Sequence, residues 1–272
     1  MSKDFDFSGD SVAKSYDTVL VPSLFTPWAK QLLEEHGPWD GVSVLDLASG
    51  TGVVAGMLSH QVGAQGHVHA ADLNPTMLSF AKKRCEGAPG PVTFYECSAD
   101  ALSLGDSSVD VALCQQGFQF FPDKNTAAKE IFRVLRPGGR TALTTWLPVS
   151  ECELFGAICE SLEAVGENGI SEKMRIPFDH ITAEELRAPF EAAGFSDITV
   201  ERQEKDLTWS EDISNIGKFA YATPIGPAVK ALAEDRREAF HSEFTKRVAA
   251  LSPDGKTLGR MATSALRAVK AN

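Results

Sequence analysis

The chain has 272 residues, of which 43% are hydrophobic and 23% charged, and its formal net charge is -11. This size allows one substantial core, and the composition is ordinary for a soluble enzyme. The negative charge argues against nucleic acid as a partner, because neutralising phosphates is the main source of that affinity.

Residues 5–36 are predicted to form one or two amphipathic helices, because apolar residues recur there at spacings of three or four. Pro22 and Pro27 should divide them. From Val42 onward strands alternate with helices, which predicts a parallel sheet covered on both faces. The predicted strands are 42–47, 67–71, 91–96, 109–114 and 139–146, and the helices between them are 52–62, 75–86 and 124–135.

The second half of the chain returns to helical periodicity, and we find no linker long enough to separate domains. A capping box at Thr182–Glu185 should open a helix that ends before Gly194. Residues 258–269 could form a last strand or a short helix. The other predicted segments are a helix at 151–165, a loop at 166–179, a strand at 195–209 and helices within 211–252.

The most informative stretch is Val44-Leu45-Asp46-Leu47-Ala48-Ser49-Gly50-Thr51-Gly52, a buried strand that runs into a glycine turn. A helix follows, and the next strand ends in an acid, Asp72. This order is typical of a βαβ unit that holds a ribose. An NAD-type site is disfavoured because Gly52 is followed by Val53-Val54-Ala55, so the third glycine of that motif is absent.

Three further motifs follow in order: Ser98-Ala99-Asp100-Ala101, Val109 to Cys114, and Glu130 to Gly139. With them, residues 42–146 resemble the class I S-adenosylmethionine-dependent methyltransferases, in the small-molecule branch that includes the ubiquinone/menaquinone-type enzymes. The resemblance implies an α/β fold of three layers: a Rossmann-like, seven-stranded, mostly parallel sheet with helices on both faces. Helical cover segments should be added at both ends of the chain.

The resemblance also assigns residues to the methionine end of S-adenosylmethionine. Gly50 and Gly52 would let the backbone approach the cofactor without a Cβ in the way. Asp46 would take up its ammonium group, directly or through water, and Gln115 would lie under the sulfonium. The family often has glycine at the position of Ala48, and the alanine narrows the turn.

The adenosine end is assigned in the same way. Asp72 should accept hydrogen bonds from both ribose hydroxyls. Asp100 should accept from the adenine amino group, and the Ala101 N–H should face a ring nitrogen. Leu73 and Met77 would sandwich the adenine or the ribose.

The remaining segments should cover the acceptor within one methyltransferase domain, 1–272. We expect helical cover from 1–40, a cofactor core at 41–146, substrate cover from 147–181 and 211–252, and the remaining helix and strands of the sheet from 182–209 and 253–272. Tyr16 is expected to close over the cofactor. Aromatic residues in these segments favour a lipophilic or aromatic acceptor over a sugar or a peptide. Residues 211–252 could equally form a homodimer surface.

The sequence names no catalytic base. Relatives often carry a histidine at the position of Gln119 or Phe120, and neither residue can take up a proton. The weak candidates are therefore His180, Gln119 and His241. Positioning alone can explain most of the rate of methyl transfer, because the cofactor supplies the reactivity.

The five cysteines form no CxxC pair and have no metal-ligand spacing, so we expect reduced thiols and no metal. No apolar run approaches the roughly 18–20 residues of a membrane span, and the N-terminus lacks a secretion signal. We therefore expect a cytoplasmic protein. A catalytically silent, cofactor-binding regulatory or scaffold protein is the alternative. An aminopropyl transferase is a lesser alternative, because its reaction would need an acidic pocket, which the segment 115–121 does not provide.

Overall fold

The computed structural model describes residues 9–178 and 181–272. Its seven strands form one sheet in the order β3-β2-β1-β4-β5-β7-β6. Only β7 runs antiparallel to its neighbours, so the predicted mostly parallel sheet is confirmed. The strands are β1 Ser43–Leu47, β2 His67–Asp72, β3 Val92–Glu96, β4 Val109–Gln115, β5 Leu135–Trp146, β6 Phe195–Thr208 and β7 Thr257–Lys270.

Helices surround the sheet. The α-helices are α1 Asp10–Ser15, α2 Thr26–His36, α3 Val53–Ser59, α4 Pro75–Arg84, α5 Lys124–Val134, α6 Glu153–Ala164, α7 Asn168–Arg175, α8 Ala183–Ala193, α9 Gly217–Ala222, α10 Gly226–Lys230 and α11 Glu234–Leu251. Short 3-10 turns are Phe118–Phe120, Val149–Glu151, Ile176–Phe178 and Ile213–Asn215. The capping box at Thr182 and Glu185 and the left-handed Gly194 after α8 are both present.

The N-terminal prediction needs a correction. A wide helical turn of π type, Tyr16–Phe25, joins α1 to α2, and we call it the π segment. Pro22 lies inside this segment rather than dividing two helices. Pro27 lies in the first turn of α2, where its missing N–H would have no partner in the helix. Phe5 and Phe7 lie outside the described residues.

The prediction of a loop at 166–179 is wrong, because α7 occupies most of it. Met174 is only 1% exposed and packs in the core, while the Ser171 hydroxyl donates to Glu163 at 2.7 Å. The charged residues around Ser171 and Met174 obscure the helical periodicity in the sequence, so the sequence does not predict the helix. Position 179 is outside the described residues. The uncertain segment 258–269 is strand β7.

Residues 136–139, between the predicted helix 124–135 and the predicted strand that begins at 139, lie inside β5 as an irregular bulge. Leu135 pairs with Val109, and pairing resumes only at Arg140 with Val111. Five residues of β5 thus match two of β4. A Cβ on Gly139 would lie 2.8 Å from the Arg136 carbonyl oxygen, so a side chain there would crowd the bulge.

Three hydrophobic cores organise the molecule. Alternate residues of β1 enter opposite cores: Val44 packs with α2 and α3, while Leu45 packs with α5 and α8. These two cores are the outer layers of the three-layer fold. The third core joins the π segment, α6, α7 and α9–α11 around Trp146, at the end of β5. It therefore lies beside the carboxyl ends of the strands.

Candidate cofactor and acceptor site

A cleft opens at the carboxyl ends of β1, β2 and β4, with about 1260 Å³ of empty space when the open solvent at its mouth is included. The strand order reverses here, because β1 lies between β2 and β4. Ligands of open α/β sheets bind at such a switch point. Leu47, Ala71 and Gln115, at or near the ends of these three strands, all line the cleft.

The glycine turn carries three residues with positive φ: Ala48 at 56°, Gly50 at 54° and Gly52 at 79°. Gly50 lines the cleft, and a Cβ built on it meets no atom within 4 Å. Bare backbone thus faces open space there. A Cβ on Gly52 would lie 2.8 Å from the Cα of Ala81, so this glycine lets α3 approach α4 closely. The two glycines therefore have different duties.

Asp72 ends β2 and lines the cleft with only 9% of its surface exposed. Its Oδ2 accepts the Gly50 N–H and its Oδ1 accepts the Asn74 N–H, each at 2.8 Å. Burial raises the pKa of this carboxyl, and the hydrogen bonds from Asn74 and Gly50 act in the opposite direction. Each carboxylate oxygen can accept a further bond, so Asp72 keeps capacity for a ligand's hydroxyls.

Asp46 occupies a different place from Asp72. It is 2% exposed, it does not line the cleft, and its Oδ2 accepts the Ala55 N–H at 2.9 Å. Ala55 lies in the first turn of α3, so Asp46 caps that helix from the neighbouring strand. Burial, reinforced by the charge of Asp72, raises the pKa of Asp46 to about 7.

The other predicted cofactor residues divide into two groups. Those that line the cleft are Tyr16, Ala48, Leu73, Met77 and Gln115. Gly52, Asp100 and Ala101 do not. The Ala101 N–H donates to the Ser98 carbonyl oxygen at 3.1 Å, and this turn brings Cys97, Ser98 and Ala99 to the cleft instead.

The π segment covers the part of the cleft beside Gly50 and Asp72, where the sequence predicts the cofactor and which we call the cofactor side. Gln115 donates from Nε2 to the Phe25 carbonyl oxygen at 2.8 Å, and the ring centroids of Tyr16 and Phe25 are 5.0 Å apart. Burial raises the pKa of Tyr16, and the charges of Asp72 and Asp17 add to that effect. Tyr16 is therefore a neutral phenol beside Asp72.

Arg84 ties this cover to the glycine turn, a link that the sequence does not reveal. Its guanidinium pairs with Asp17 of the π segment, and its Nε donates to the Thr51 carbonyl oxygen at 2.9 Å. Asp17 and Arg84 are 67 positions apart in the chain. No local pattern could join them.

The rest of the cleft, where the sequence predicts the acceptor and which we call the acceptor side, is mostly apolar. Its lining residues come from the π segment, from the region after β4 and from the third core: Leu20, Leu24, Phe120, Phe121, Trp146, Phe155, Met174, Pro177, Phe178 and Pro224. Among the lining residues that the structure describes, Asp72 is the only Asp, Glu, His, Lys or Arg. Several aromatic residues considered in the sequence, such as Phe118 and Phe219, are instead fully buried in cores.

The two weak catalytic candidates that the structure describes, Gln119 and His241, do not line the cleft. Gln119 donates to the Pro177 carbonyl oxygen at 2.9 Å and accepts the Trp146 N–H at 3.1 Å, so both ends of its amide are used. His241 shares a hydrogen bond of 2.5 Å with the Tyr221 hydroxyl, and neither lines the cleft. Burial lowers the pKa of His241. His180 lies outside the described residues.

Gln116 is the site residue that the sequence analysis missed. It lines the cleft, is 4% exposed, and has a left-handed backbone with φ of 55°. Its Nε2 and Oε1 have no hydrogen-bond partner within the described part of the chain. In a stretch with three glutamines, nothing in the sequence singles this one out.

Residues 9–178 and 181–272 contain no group of three or more His, Cys, Asp or Glu side chains that could hold a metal ion, and no helix there is long and apolar enough to cross a membrane. All five cysteines are free, and four of them are buried.

Comparison with known proteins identifies a family. Residues 7–202 match the model of the ubiE/COQ5 methyltransferase family. The ubiquinone/menaquinone biosynthesis C-methyltransferase UbiE of Xylella fastidiosa (strain M12) is 30% identical over 203 residues, which cover 68% of this chain and 79% of that protein. The enzyme of the same name from Shewanella sediminis is 36% identical over 135 residues, covering 48% of this chain and 54% of its own length.

Solved structures share the fold. A Haemonchus contortus phosphoethanolamine N-methyltransferase, solved with phosphomonomethylethanolamine and S-adenosylhomocysteine, matches with a TM-score of 0.61 at 19% identity. The match covers 97% of this chain but only 58% of the nematode protein. At this identity the similarity speaks to the fold, not to the acceptor.

Proposed function

Because the chain belongs to the ubiE/COQ5 methyltransferase family and is an S-adenosylmethionine-dependent methyltransferase, we propose that it methylates a ring carbon of an electron-rich, hydroxyl-bearing aromatic molecule. The observation that carries this proposal is the apolar acceptor side of the cleft, with Trp146, Phe155 and Phe178 in its lining. The name of the Xylella relative, a C-methyltransferase of quinone biosynthesis, points the same way.

The residues present fit the cofactor. The open backbone at Gly50 leaves space for a ligand, and Asp72 offers a buried carboxylate at the end of β2. Asp72 would accept from the ribose hydroxyls, while Leu73 and Met77 would flank the adenine or ribose. When bound, S-adenosylmethionine supplies an electrophilic methyl group. We keep Asp46, Asp100, Ala101 and Gly52 as supports of this site rather than as contacts seen in the cleft.

The lining argues against a charged acceptor. Moving a phosphate or an ammonium into an apolar cavity is unfavourable unless an opposite charge is there to pair with it. No lysine or arginine lines the cleft within the described residues, so a phosphorylated acceptor has no cation to meet. Asp72, the carboxylate, is assigned to the ribose. A neutral aromatic ring matches the remaining surface.

The oxidation state of the ring follows from the chemistry. An electrophilic methyl group adds to an electron-rich carbon, which a hydroquinone offers and a quinone does not. The ring carbon would form the new C–C bond as the S–CH3 bond breaks and its electron pair stays on sulfur, leaving S-adenosylhomocysteine, and the ring carbon would then release its proton to water. Apart from Asp72, the described lining offers no carboxylate or histidine as a base, so holding the ring in place is the main task of the protein.

The test is an anaerobic assay with 1,4-dihydroxynaphthalene and methyl-labelled S-adenosylmethionine. The proposal expects label on a ring carbon of the product, identified by mass spectrometry and NMR. Phosphoethanolamine and a catechol serve as competing acceptors. Exclusive O-methylation, or methylation of phosphoethanolamine in preference to the ring, would contradict the proposal.

Three further expectations belong to the same proposal. The net charge of -11 supports the expectation that the protein does not act on nucleic acid. The same charge is compatible with a cytoplasmic location. A homodimer through 211–252 can be tested by sedimentation of the purified protein. The division of one domain into a cofactor core and cover segments is supported by the separate third core.

A further inference from the structure

Gln116 lines the cleft at the carboxyl end of β4. It follows β4 directly, and its backbone N–H donates to the Thr144 carbonyl oxygen of β5 at 3.0 Å. The next residue, Gly117, approaches the glycine turn so closely that an added Cβ would lie 2.6 Å from the Cβ of Ala48. Gln116 is therefore held beside the turn that ends β1.

The side chain of Gln116 is unusual for its burial. A primary amide offers two donors and one acceptor, and buried polar groups in proteins normally find partners. With 4% of the residue exposed, neither Nε2 nor Oε1 has a partner among the residues of 9–178 and 181–272. The backbone of Gln116 also adopts a φ of 55°, a value that residues other than glycine rarely take. Two unfavourable features at one cleft residue suggest a role beyond folding.

Two neighbouring glutamines provide an internal comparison. Gln115 is bonded to the Phe25 carbonyl oxygen, and Gln119 is bonded to both Pro177 and Trp146. They link the covers of the cleft to the sheet. Gln116 makes no such link, although it belongs to the same short segment and lines the same cleft. Of the three amides, only that of Gln116 has neither its nitrogen nor its oxygen bonded to a described residue, so both atoms are available to a ligand.

We propose that Gln116 is a positioning and specificity-determining residue that hydrogen-bonds the oxygen substituent of the aromatic acceptor. This inference rests on the proposed function. The amide can donate to a ring oxygen and accept from a ring hydroxyl, and it carries no charge that could neutralise a phosphate or a carboxylate. Since the surrounding acceptor wall is apolar, one polar anchor fixes the rotation of the ring and selects which carbon faces the methyl group.

The chemistry favours the acceptor over the cofactor as the partner of this amide. The ribose already has Asp72, and the charged methionine end of the cofactor calls for charged partners or backbone N–H groups near the glycine turn. Among the described residues of the cleft lining, the only other side-chain amide is Gln115, whose Nε2 is bonded to the Phe25 carbonyl oxygen, and much of the remaining wall is apolar, with residues such as Trp146 and Phe178. Without Gln116, a hydroxylated ring would lose its hydrogen bonds to water on binding and would gain few hydrogen bonds from the protein in exchange.

The test compares Gln116→Leu, which removes both polar atoms, with Gln116→Asn, which keeps the amide one methylene shorter. Gln61→Leu is the matched control, because Gln61 is exposed and does not line the cleft. Activity is measured with 1,4-dihydroxynaphthalene and with 1-naphthol, which lacks one hydroxyl. Calorimetry gives the affinity for S-adenosylhomocysteine and the binding of each ring to that complex.

We expect Gln116→Leu to lower kcat/KM for 1,4-dihydroxynaphthalene by about tenfold or more, mainly through KM. The preference for the dihydroxy ring over 1-naphthol should shrink, and Gln116→Asn should recover part of it. Affinity for S-adenosylhomocysteine should stay within about twofold, and Tm should not fall, because a buried amide without a partner is removed. Gln61→Leu should match the natural protein.

Unchanged kinetics in Gln116→Leu, with the natural protein active on these rings, would overturn this inference and leave the proposed function intact. A lower Tm, or a loss of S-adenosylhomocysteine affinity as large as the loss of kcat/KM, would assign Gln116 to folding or to the cofactor and overturn it too. A natural protein that neither binds nor methylates either ring would overturn both proposals.

Discussion

The Gly50 N–H donates to Oδ2 of Asp72 at 2.8 Å, which joins the glycine turn after β1 to the acid that ends β2. This bond gives Asp72 two duties, because the carboxylate predicted to hold the ribose also fixes the turn beside it. A test of Asp72 must therefore keep an acceptor at that position. Asparagine keeps one accepting oxygen, but it removes the charge and puts an NH2 group, which cannot accept, in place of the other oxygen.

Asp46 should make the stability of the ligand-free protein depend on pH. Burial raises its pKa to about 7, above the ordinary value of 3.8. Between about pH 4 and pH 7 the folded state then binds more protons than the unfolded state, so the free energy of unfolding falls as pH rises. The loss is on the order of a few kcal/mol and is complete above about pH 7.

Urea unfolding at several pH values between 5 and 8 measures this effect. The Asp46→Asn variant keeps an oxygen that can accept the Ala55 N–H but cannot ionise, so its stability should fall less than that of the natural protein over this range. Asp235→Asn, at an exposed position on α11, is the control. Parallel pH profiles for Asp46→Asn and the natural protein would show that Asp46 keeps an ordinary pKa.

The two glycines of the turn should respond differently to alanine. Both have positive φ, so each substitution costs about 1 kcal/mol through the backbone alone. In Gly52→Ala the Cβ also meets Ala81 at 2.8 Å, which should raise the total cost to about 2–4 kcal/mol. In Gly50→Ala the Cβ enters open space in the cleft, so the main loss should be in cofactor affinity.

Thermal unfolding and calorimetry on the two variants separate these effects. Gly52→Ala should have the lower Tm, while Gly50→Ala should bind S-adenosylhomocysteine more weakly than expected from its small loss of stability. The opposite ranking in both measurements would mean that Gly50 packs against protein and that Gly52 faces the ligand.

Breaking the pair between Asp17 and Arg84 should loosen the π segment over the cofactor. Partly exposed ion pairs contribute up to about 1 kcal/mol, so Asp17→Asn should weaken S-adenosylhomocysteine binding by about two- to fivefold. Amide hydrogen exchange in 16–25 should become faster. Added salt should weaken S-adenosylhomocysteine binding by the natural protein more than binding by the variant, since salt screens the charge pair.

The control for this prediction is Glu160→Gln, which breaks a pair with Arg247 between α6 and α11. Neither residue lines the cleft. If Glu160→Gln changes cofactor affinity as much as Asp17→Asn does, the effect is a general loss of stability and the π segment has no special role.

The elements that the sequence predicts well are those whose signal is local. The glycine turn, the acid that ends β2 and the capping box at Thr182 all depend on residues within a few positions of one another. Their short-range pattern therefore predicts the sheet and one side of the cleft. The strand at 258–269 stayed ambiguous because β7 is buried on both sides and shows poor alternation.

What the sequence could not supply depends on distant contacts. The contact between Asp17 and Arg84 forms only when the π segment folds over the turn, and α7 is held by contacts of Ser171 and Met174 with α6 and the third core. Gln116 differs from Gln115 and Gln119 only in lacking partners, which no sequence pattern displays. The acceptor side of the cleft combines three such segments.

The measurement that tests the central claim most directly is the affinity of Asp72→Asn for S-adenosylhomocysteine, determined by calorimetry beside Asp235→Asn. Each hydrogen bond to a charged carboxylate contributes about 1.5–3 kcal/mol, so the loss of charge in Asp72→Asn should weaken binding by more than about tenfold while Asp235→Asn stays unchanged. An unchanged affinity in a folded Asp72→Asn protein would place the cofactor elsewhere and contradict the site described at the end of β2.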